Sequence, residues 1–256
     1  MNSQKSLDLA GLAGKLLLEN GAEIFRTQDT MHRILDCCGY PNHNIFVISN
    51  GIFATVNEGE EDHCNLVRHV PLGSVNLSKI SVVNQIAREL ENGRYSPEEA
   101  FEQFNNIENS VKKESVGLLL FASGMGACAF CFMLGGKFID LPFAFFLGFI
   151  LQVFIFLFEK HLPNLLTTLC ASFIATILSI LFTYLFPGVH VESLVIGAII
   201  ILVPGVAFTT GIRELFNGDY LSGIIHLSNA LLIGICIASG VALALGMVQA
   251  LGGSFL

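Results

Sequence analysis

Five long apolar stretches in the second part of the chain constrain its fold more than any other feature. They cover residues 115–134, 141–158, 165–186, 192–212 and 221–248. A helix needs about 20 residues to cross the hydrocarbon core of a bilayer, so each stretch is long enough to span it. Residues 112–256 are therefore predicted to form a membrane domain, an all-α bundle of five transmembrane helices in a lipid bilayer.

Charged residues are concentrated ahead of these stretches. Residues 1–111 hold 8 Lys and Arg against 15 Asp and Glu, a net charge of −7, whereas residues 112–256 hold 5 against 6, a net charge of −1. This division predicts an acidic soluble domain over residues 1–111, followed by the membrane domain. We expect no nucleic-acid partner, because binding to phosphates requires a basic surface.

The first domain is predicted to be α+β. Helical periodicity over residues 4–38 is interrupted at Gly21, which fits either two helices or one kinked helix. Asn50–Gly51 between the apolar runs 44–49 and 52–56 predicts a hairpin, and residues 64–70 add a third strand to a short antiparallel meander. Further helices are predicted over residues 77–92 and from Pro97, with Ser96 as the N-cap.

The histidines and cysteines of this domain lack the spacing of a metal site or a catalytic motif. Neither HExxH nor paired Cys/His finger spacing occurs, and no serine lies in a GxSxG element. We predict no enzymatic activity, no metal and no cofactor. A membrane-bound hydrolase that uses residues such as His63 is the alternative in this class.

The basic residues predict the orientation of the membrane domain. With the first domain in the cytoplasm, Lys112, Lys113, Lys160 and Arg213 all lie on the cytoplasmic side, and Lys137 lies outside. The start of the chain lacks the apolar core of a signal peptide, which agrees with this placement. Five spans then put the C-terminus outside.

The fourth apolar stretch is interrupted by Pro204 and Gly205. Broken backbone in lipid is tolerated where it is buried in protein or lines a polar cavity, and transporters use such breaks to bind solutes. We interpret the break as part of a solute path; a proline kink with interhelical hydrogen bonds is the alternative. The residues predicted to line the path are Pro204, Gly205, Thr209, Thr210, Arg213, His226 and Asn229.

Each of these side chains is given a role. Thr209, Thr210 and Asn229 are predicted to contact the solute, and Arg213 to attract a carboxylate at the cytoplasmic mouth. His226 is the candidate carrier of a coupling proton, because the unperturbed pKa of histidine lies near neutrality. Gln152 and the Ser/Thr-rich third span are further candidates for the path.

Small residues four apart predict close helix packing in lipid. The pairs and triplets with this spacing are Ala122/Gly126, Ala230/Gly234 and Ala238/Ala242/Gly246.

Charged residues also recur in the first domain. A continuous helix would place Glu19, Glu23 and Arg26 on one face. That face is either simply solvated or part of a polar cluster that binds a ligand or touches the membrane domain.

Several short motifs together resemble those of the threonine/serine exporter family of bacterial and fungal membrane proteins. Residues 16–23 (LLLENGAE) with Arg26 resemble the signature LL-x-x-GAE-x-x-R, and residues 75–80 with Asn84 resemble a second family segment. Residues 203–205 (VPG) resemble a third. The resemblance adds Asn84 to the polar cluster of Glu19, Glu23 and Arg26.

The resemblance implies a ten-span exporter with a cytoplasmic N-terminal domain. A chain with five spans resembles the split version, in which a smaller, separate membrane protein supplies the second half. We therefore expect a multi-pass inner-membrane protein of bacteria that exports threonine, serine or a dicarboxylate such as succinate; whether it forms an oligomer stays open. The absence of an ATP-binding loop favours an ion or proton gradient as the energy source. The alternative is a membrane-anchored ligand-sensing or regulatory protein.

Overall fold

The computed structural model describes residues 1–57, 63–71, 73, 75–107 and 115–252. The chain forms two compact units. The first comprises Met1–Lys113 with Thr209–His226, and the second comprises Glu114–Phe208 with Leu227–Leu256. Residues 58–62, between the second and third predicted strands, and the predicted cytoplasmic Lys112 and Lys113 lie outside the described residues.

Two helices, not one kinked helix, begin the first unit. Helix α1 (Ser3–Glu19) starts at Asn2, whose side chain accepts a hydrogen bond of 3.0 Å from the backbone N–H of Lys5. Gly21 takes a φ of +79°, in the left-handed region that favours glycine, and separates α1 from α2 (Ile24–Cys37). The chain therefore turns sharply at the position where the periodicity is interrupted.

The predicted meander is confirmed. Strands β1 (His43–Ile48), β2 (Gly51–Asn57) and β3 (His63–His69) pair antiparallel in the order β1-β2-β3. Ile48 pairs with Gly51 and Phe53 pairs with Val67. Residues 49 and 50 therefore form the tight turn, one residue earlier than the predicted Asn50–Gly51. One face of the sheet is buried, and its core residues are Val47, Ile52, Ala54, Val56 and Leu66.

Two more helices follow the sheet in the first unit. Helix α3 covers Leu77–Glu91 and α4 covers Pro97–Asn105. The predicted N-cap of α4 is confirmed as a capping box: the backbone N–H of Glu99 donates to Ser96 Oγ (3.2 Å), and the backbone N–H of Ser96 donates to Glu99 Oε2 (2.7 Å).

Helix α1 lies at the centre of the first unit. Its apolar side chains, among them Leu7, Leu9 and Leu17, are almost completely buried, and it packs against α2, the sheet, α3 and α4. Burial on several sides explains why Lys15 is its one basic residue after the first turn. The first unit thus combines helices with a small antiparallel sheet, as the sequence predicts.

The described part of the chain has four helices that are long and apolar enough to cross a membrane. They are α5 (Val116–Met133), α6 (Leu141–Phe158), α7 (Asn164–Leu185) and α10 (Tyr220–Ala250). The fourth apolar stretch is instead a bent pair: α8 (Val191–Ile199) with a 3₁₀ turn (Ile200–Leu202), then α9 (Gly205–Phe216) at an angle of 58°. The count of five spans is reached if this pair crosses as one, so the predicted five-helix bundle is not confirmed as such.

Glycines bring the helices of the second unit together. A Cβ on Gly148 of α6 would lie 2.6 Å from the carbonyl oxygen of Ser123, and one on Gly197 of α8 would lie 2.7 Å from Cys131 Cβ. A Cβ on Gly240 of α10 would overlap Ser172 Oγ of α7. Small residues therefore set the helix spacing, as expected in lipid.

The glycines that the four-residue spacing predicts for close packing are, however, the wrong ones. Open space surrounds the Cβ positions of Gly126, Gly234 and Gly246 within the described residues. The buried face of α10 follows Ile233, Ile237 and positions three or four further on, so Gly234 and Gly246 point away from it.

Candidate functional site

The break in the fourth apolar stretch lies where the sequence predicts it. Proline has no N–H and so cannot continue the helical hydrogen bonds. Val203 N–H donates to the carbonyl of Ile200 at 3.2 Å, which closes the 3₁₀ turn, and Phe208 N–H donates to the carbonyl of Pro204 at 3.0 Å, which opens α9. Pro204 and Gly205 thus separate two helices and change the direction of the chain.

The end of α9 and the start of α10 form a tight helical hairpin within the first unit. Gly218 has a φ of +89°, and the backbone N–H of Asp219 donates to the carbonyl of Glu214 at 2.9 Å. A Cβ on Gly223 would lie 2.9 Å from the carbonyl oxygen of Gly211. The two helices therefore approach closely where both have glycine.

This hairpin is joined to the β1–β2 turn. Ser49 N–H donates to Ser222 Oγ at 3.1 Å, and Ser49 Oγ donates to the carbonyl oxygen of Ser222 at 3.5 Å. Both serines are almost completely buried. The sheet of the first unit thus holds the first turn of α10.

An ion pair ties the same hairpin to the connection between α1 and α2. Arg213 of α9 donates to Glu23 Oε1, and Arg26 Nε lies 3.7 Å from Glu23 Oε2. The structure therefore brings together three of the predicted polar residues, Glu23, Arg26 and Arg213. Glu19 does not join them, since it pairs with Lys15 at 3.4 Å on α1.

The most unusual side chain of the hairpin is one that the sequence did not single out. Glu214 is 3% exposed, and neither of its carboxylate oxygens accepts a hydrogen bond from a described residue. His226 Nε2 lies 3.7 Å from Glu214 Oε2. A buried carboxylate without hydrogen bonds is rare because burying an unsatisfied ionised group is costly.

The sequence does contain a signal for Glu214. Its position next to Arg213 predicts a pair of charged side chains near the end of a helix. Its spacing of three from Gly211, however, places it on the small-residue face of α9, and these two residues are the buried ones of that helix. Arg213, one position earlier, has a side chain that is 57% exposed.

The remaining predicted path residues divide between the two units. Thr209 and Thr210 belong to the first unit, together with Arg213 and His226. Pro204, Gly205 and Asn229 belong to the second unit. Asn229 is half-buried and follows His226 by three positions on α10, so helical periodicity puts both on one face.

The hydroxyls of the third span bond within their own helix. On α7, each buried Thr or Ser hydroxyl donates to a backbone carbonyl three or four residues earlier, at 2.8–3.3 Å. Gln152 of α6 accepts a 3.0 Å hydrogen bond from Ser123 of α5. These polar groups already have partners inside the second unit; the α7 residues concerned are Thr167, Thr168, Ser172, Thr176 and Ser179.

A groove of about 400 Å³ lies between α2 and α3 in the first unit. Arg33 crosses it, at 3.0 Å from Asp29 Oδ2 and 3.6 Å from Glu91 Oε2. Its lining residues are Phe25, Arg26, Asp29, Thr30, Arg33, Asn84, Ala87, Arg88 and Glu91. Of the predicted polar cluster, Arg26 and Asn84 meet here.

A pair of histidines joins α2 to the first strand. His32 Nδ1 is 2.6 Å from His43 Nε2, and His43 Nδ1 is 2.7 Å from the carbonyl oxygen of Tyr40. Burial and the neighbouring His43 lower the pKa of His32, against the opposing effect of Asp36 and Asp29. In the described ranges, no group of three His, Cys, Asp or Glu side chains has the arrangement of a metal site.

Comparison with known proteins gives two matches. Residues 8–248 match the model of a family described as threonine/serine exporter. A protein of Corynebacterium glutamicum named threonine/serine exporter is 23% identical over 252 residues, which cover 96% of this chain. The chain spans about half of that relative, 52% of its length. No solved structure matches the chain.

Proposed function

Because the chain belongs to the threonine/serine exporter family, we propose that it forms one half of a secondary exporter for small metabolites that carry a carboxylate. Threonine and serine are the first candidate solutes, supported by the name of the Corynebacterium relative. A dicarboxylate such as succinate is the second, since it presents the same group to a cationic side chain.

The observation that carries this proposal is the buried carboxylate of Glu214 beside His226. An ionised carboxylate buried without hydrogen bonds is costly, and binding a proton removes that cost. Asp219 and Glu23 are the acidic groups that act on it electrostatically. We propose that Glu214 and His226 together carry the coupling proton, a role that the sequence assigned to His226 alone.

The solute path is proposed to follow α9 from its broken start. Pro204 and Gly205 separate the 3₁₀ turn after α8 from α9, and transporters bind solutes at such breaks between helices. Thr209 and Thr210 follow on the same helix and are proposed to contact the solute, as is Asn229 on α10. Arg213 attracts the carboxylate of the solute at the cytoplasmic end.

We propose that the partner is a second membrane protein. It would correspond to the part of the Corynebacterium relative that this chain does not match. The support is that this chain corresponds to 52% of the Corynebacterium protein. The proposed location is the bacterial inner membrane, with the α1–α4 part of the first unit in the cytoplasm and the C-terminus outside. The support is that this orientation would put the basic Lys160 and Arg213 on the cytoplasmic side, where basic residues near membrane spans are enriched.

Efflux from intact cells tests the proposal. Cells that lack their own exporters are loaded with threonine, serine or succinate and express the chain alone or with a candidate second-half protein. We expect efflux of one of these solutes when both proteins are present. Glu214→Gln is expected to abolish it, whereas Glu192→Gln, at an exposed acid in the first turn of α8, keeps it.

The outcomes separate the proposal from its alternative. Efflux that is equal in wild type and Glu214→Gln contradicts the role of the buried carboxylate. No efflux of any of the three solutes, with both proteins present in the membrane, favours a membrane-anchored sensor instead.

A further inference from the structure

The groove between α2 and α3 has more guanidinium groups than its own carboxylates neutralise. Arg26, Arg33 and Arg88 line it together with Asp29 and Glu91. Arg33 forms ion pairs with both carboxylates, at 3.0 Å from Asp29 Oδ2 and 3.6 Å from Glu91 Oε2. The two acidic side chains of the lining are therefore committed to the central arginine.

The two outer arginines have weaker partners. Arg88 Nε donates to the carbonyl of Asn84 at 3.1 Å, and within the described residues its guanidinium forms no ion pair with a carboxylate. Arg26 is 71% exposed, and its carboxylate partner is Glu23, at 3.7 Å and outside the lining. Phe25 lines the same groove with 66% of its surface exposed, which is unusual for a phenylalanine.

From this arrangement we infer that the groove binds a small organic carboxylate. The carboxylate is held by Arg26 and Arg88, while Phe25 contacts the apolar part of the ligand and Asn84 offers an amide. Arginine suits this role because its planar fork of N–H groups matches a carboxylate. A volume of about 400 Å³ is that of a metabolite site, not of a peptide groove.

The site is connected to the α9–α10 hairpin through one side chain. Glu23 contacts both Arg26 of the groove and Arg213 of α9. A ligand carboxylate that engages Arg26 competes with Glu23 for it and leaves Glu23 to Arg213 alone. The groove is therefore a regulatory site, at which a metabolite changes the ion pair between Glu23 and the hairpin. The binding itself does not depend on the proposed transport.

Isothermal titration calorimetry on the purified full chain in detergent tests this inference. The probes are succinate and L-threonine, which share a carboxylate but differ in charge and in the amino group. We expect saturable binding of at least one probe that weakens as NaCl is raised, because the attraction is screened. Arg88→Gln is expected to weaken it at least about tenfold, the loss of one charge-assisted contact.

Two variants make the test specific. Arg94→Gln removes an exposed arginine that lies outside the groove, and it is expected to bind as wild type does. Glu23→Gln frees Arg26 from its carboxylate and is expected to bind about threefold more tightly, the size of an exposed ion pair.

Three results would overturn the inference. They are the absence of binding for both probes, equal weakening by Arg88→Gln and Arg94→Gln, and inorganic phosphate that binds as tightly as either probe. The readout here is ligand binding, not flux. A negative binding result therefore does not contradict the exporter proposal, and a negative efflux result does not contradict ligand binding in the groove.

Discussion

Arg213 near the end of α9 forms an ion pair with Glu23, 190 residues earlier in the chain, at the residue before α2 begins. Through this pair, the connection between α1 and α2 holds the helical hairpin that also contains the buried Glu214. The Ser49–Ser222 hydrogen bond attaches the β1–β2 turn to the same hairpin. Within the first unit, the hairpin is thus contacted by the start of α2 and by the turn between β1 and β2.

Breaking the Glu23–Arg213 pair is expected to reduce export without unfolding the protein. Both side chains are partly exposed, so Glu23→Gln should change the free energy of unfolding by less than about 1 kcal/mol. Threonine efflux, measured at matched protein levels, should fall several-fold. Glu19→Gln is the control, because Glu19 pairs with Lys15 on α1.

The double variant Glu23→Arg with Arg213→Glu keeps opposite charges in contact. It should recover part of the efflux that the single Arg213→Glu variant loses, but not all of it, because Arg213 also attracts the carboxylate of the solute. If it is no better than the single Arg213→Glu variant, the ion pair is not the reason for the loss.

Replacing Glu214 distinguishes a role in proton coupling from a role in solute binding. Glu214→Gln keeps the shape of the side chain but cannot release a proton, so efflux driven by a pH gradient should be lost while exchange of labelled for unlabelled threonine continues. The unfolding temperature should equal or exceed that of wild type, because an unsatisfied carboxylate is removed from a buried position. A sharp fall in both the unfolding temperature and exchange would mean that Glu214 is structural.

Local features of the sequence predicted local structure well. Ser96–Pro97 and Pro204–Gly205 each act through the backbone of neighbouring residues, so the capping box and the helix break are found where expected. The hairpin signalled by Asn50–Gly51 is present, but its turn lies one residue earlier, at Ser49–Asn50. Glu214 was missed for the opposite reason. Its spacing from Gly211 indicates which face of α9 it occupies, but its burial depends on how α9 meets α10, which the local sequence does not encode.

The packing glycines of α10 give a matched pair for testing the second unit. In Gly240→Ala, the new methyl group would overlap Ser172 Oγ and the carbonyl oxygen of Leu169, which should lower stability by about 1–3 kcal/mol. Gly234→Ala, on the same helix but facing open space, should leave the unfolding temperature unchanged or slightly raised. Thermal unfolding in one detergent compares the two, and equal effects would refute the packing of α10 on α7.

These two positions also show why small-residue spacing alone misplaced the contacts. Gly234 and Gly246 have the four-residue spacing of a packing motif, whereas Gly240 stands outside that register. The side of α10 that packs is decided by Ile233 and Ile237, whose large side chains are buried. Spacing identifies a face of a helix, and the neighbouring helices decide whether it is used.

The His32–His43 pair predicts acid sensitivity of the first unit. The pKa of His32 is lowered by burial and by His43, so the unfolded chain binds a proton more readily than the folded one. The contribution of neutral His32 to the free energy of unfolding is therefore fully present above the unfolded pKa of about 6.5. It is lost as the pH falls below that value. The charged groups that face His32 are His43, Asp36 and Asp29.

Chemical unfolding of the full chain at several pH values between 8 and 5.5 checks this expectation. His32→Asn should flatten the fall in stability toward acid pH, whereas His161→Asn, at an exposed histidine after α6, should not. An equal slope in wild type and His32→Asn would assign the acid sensitivity to other groups.

The most direct test of the central claim is the flux of labelled threonine, with serine and succinate in parallel, in proteoliposomes. The vesicles contain this chain together with its proposed second-half protein, and a pH gradient is imposed across their membrane. The account predicts solute movement that requires both proteins and accelerates several-fold with the gradient. Failure of all three solutes to move, with both proteins folded in the vesicles, would contradict it.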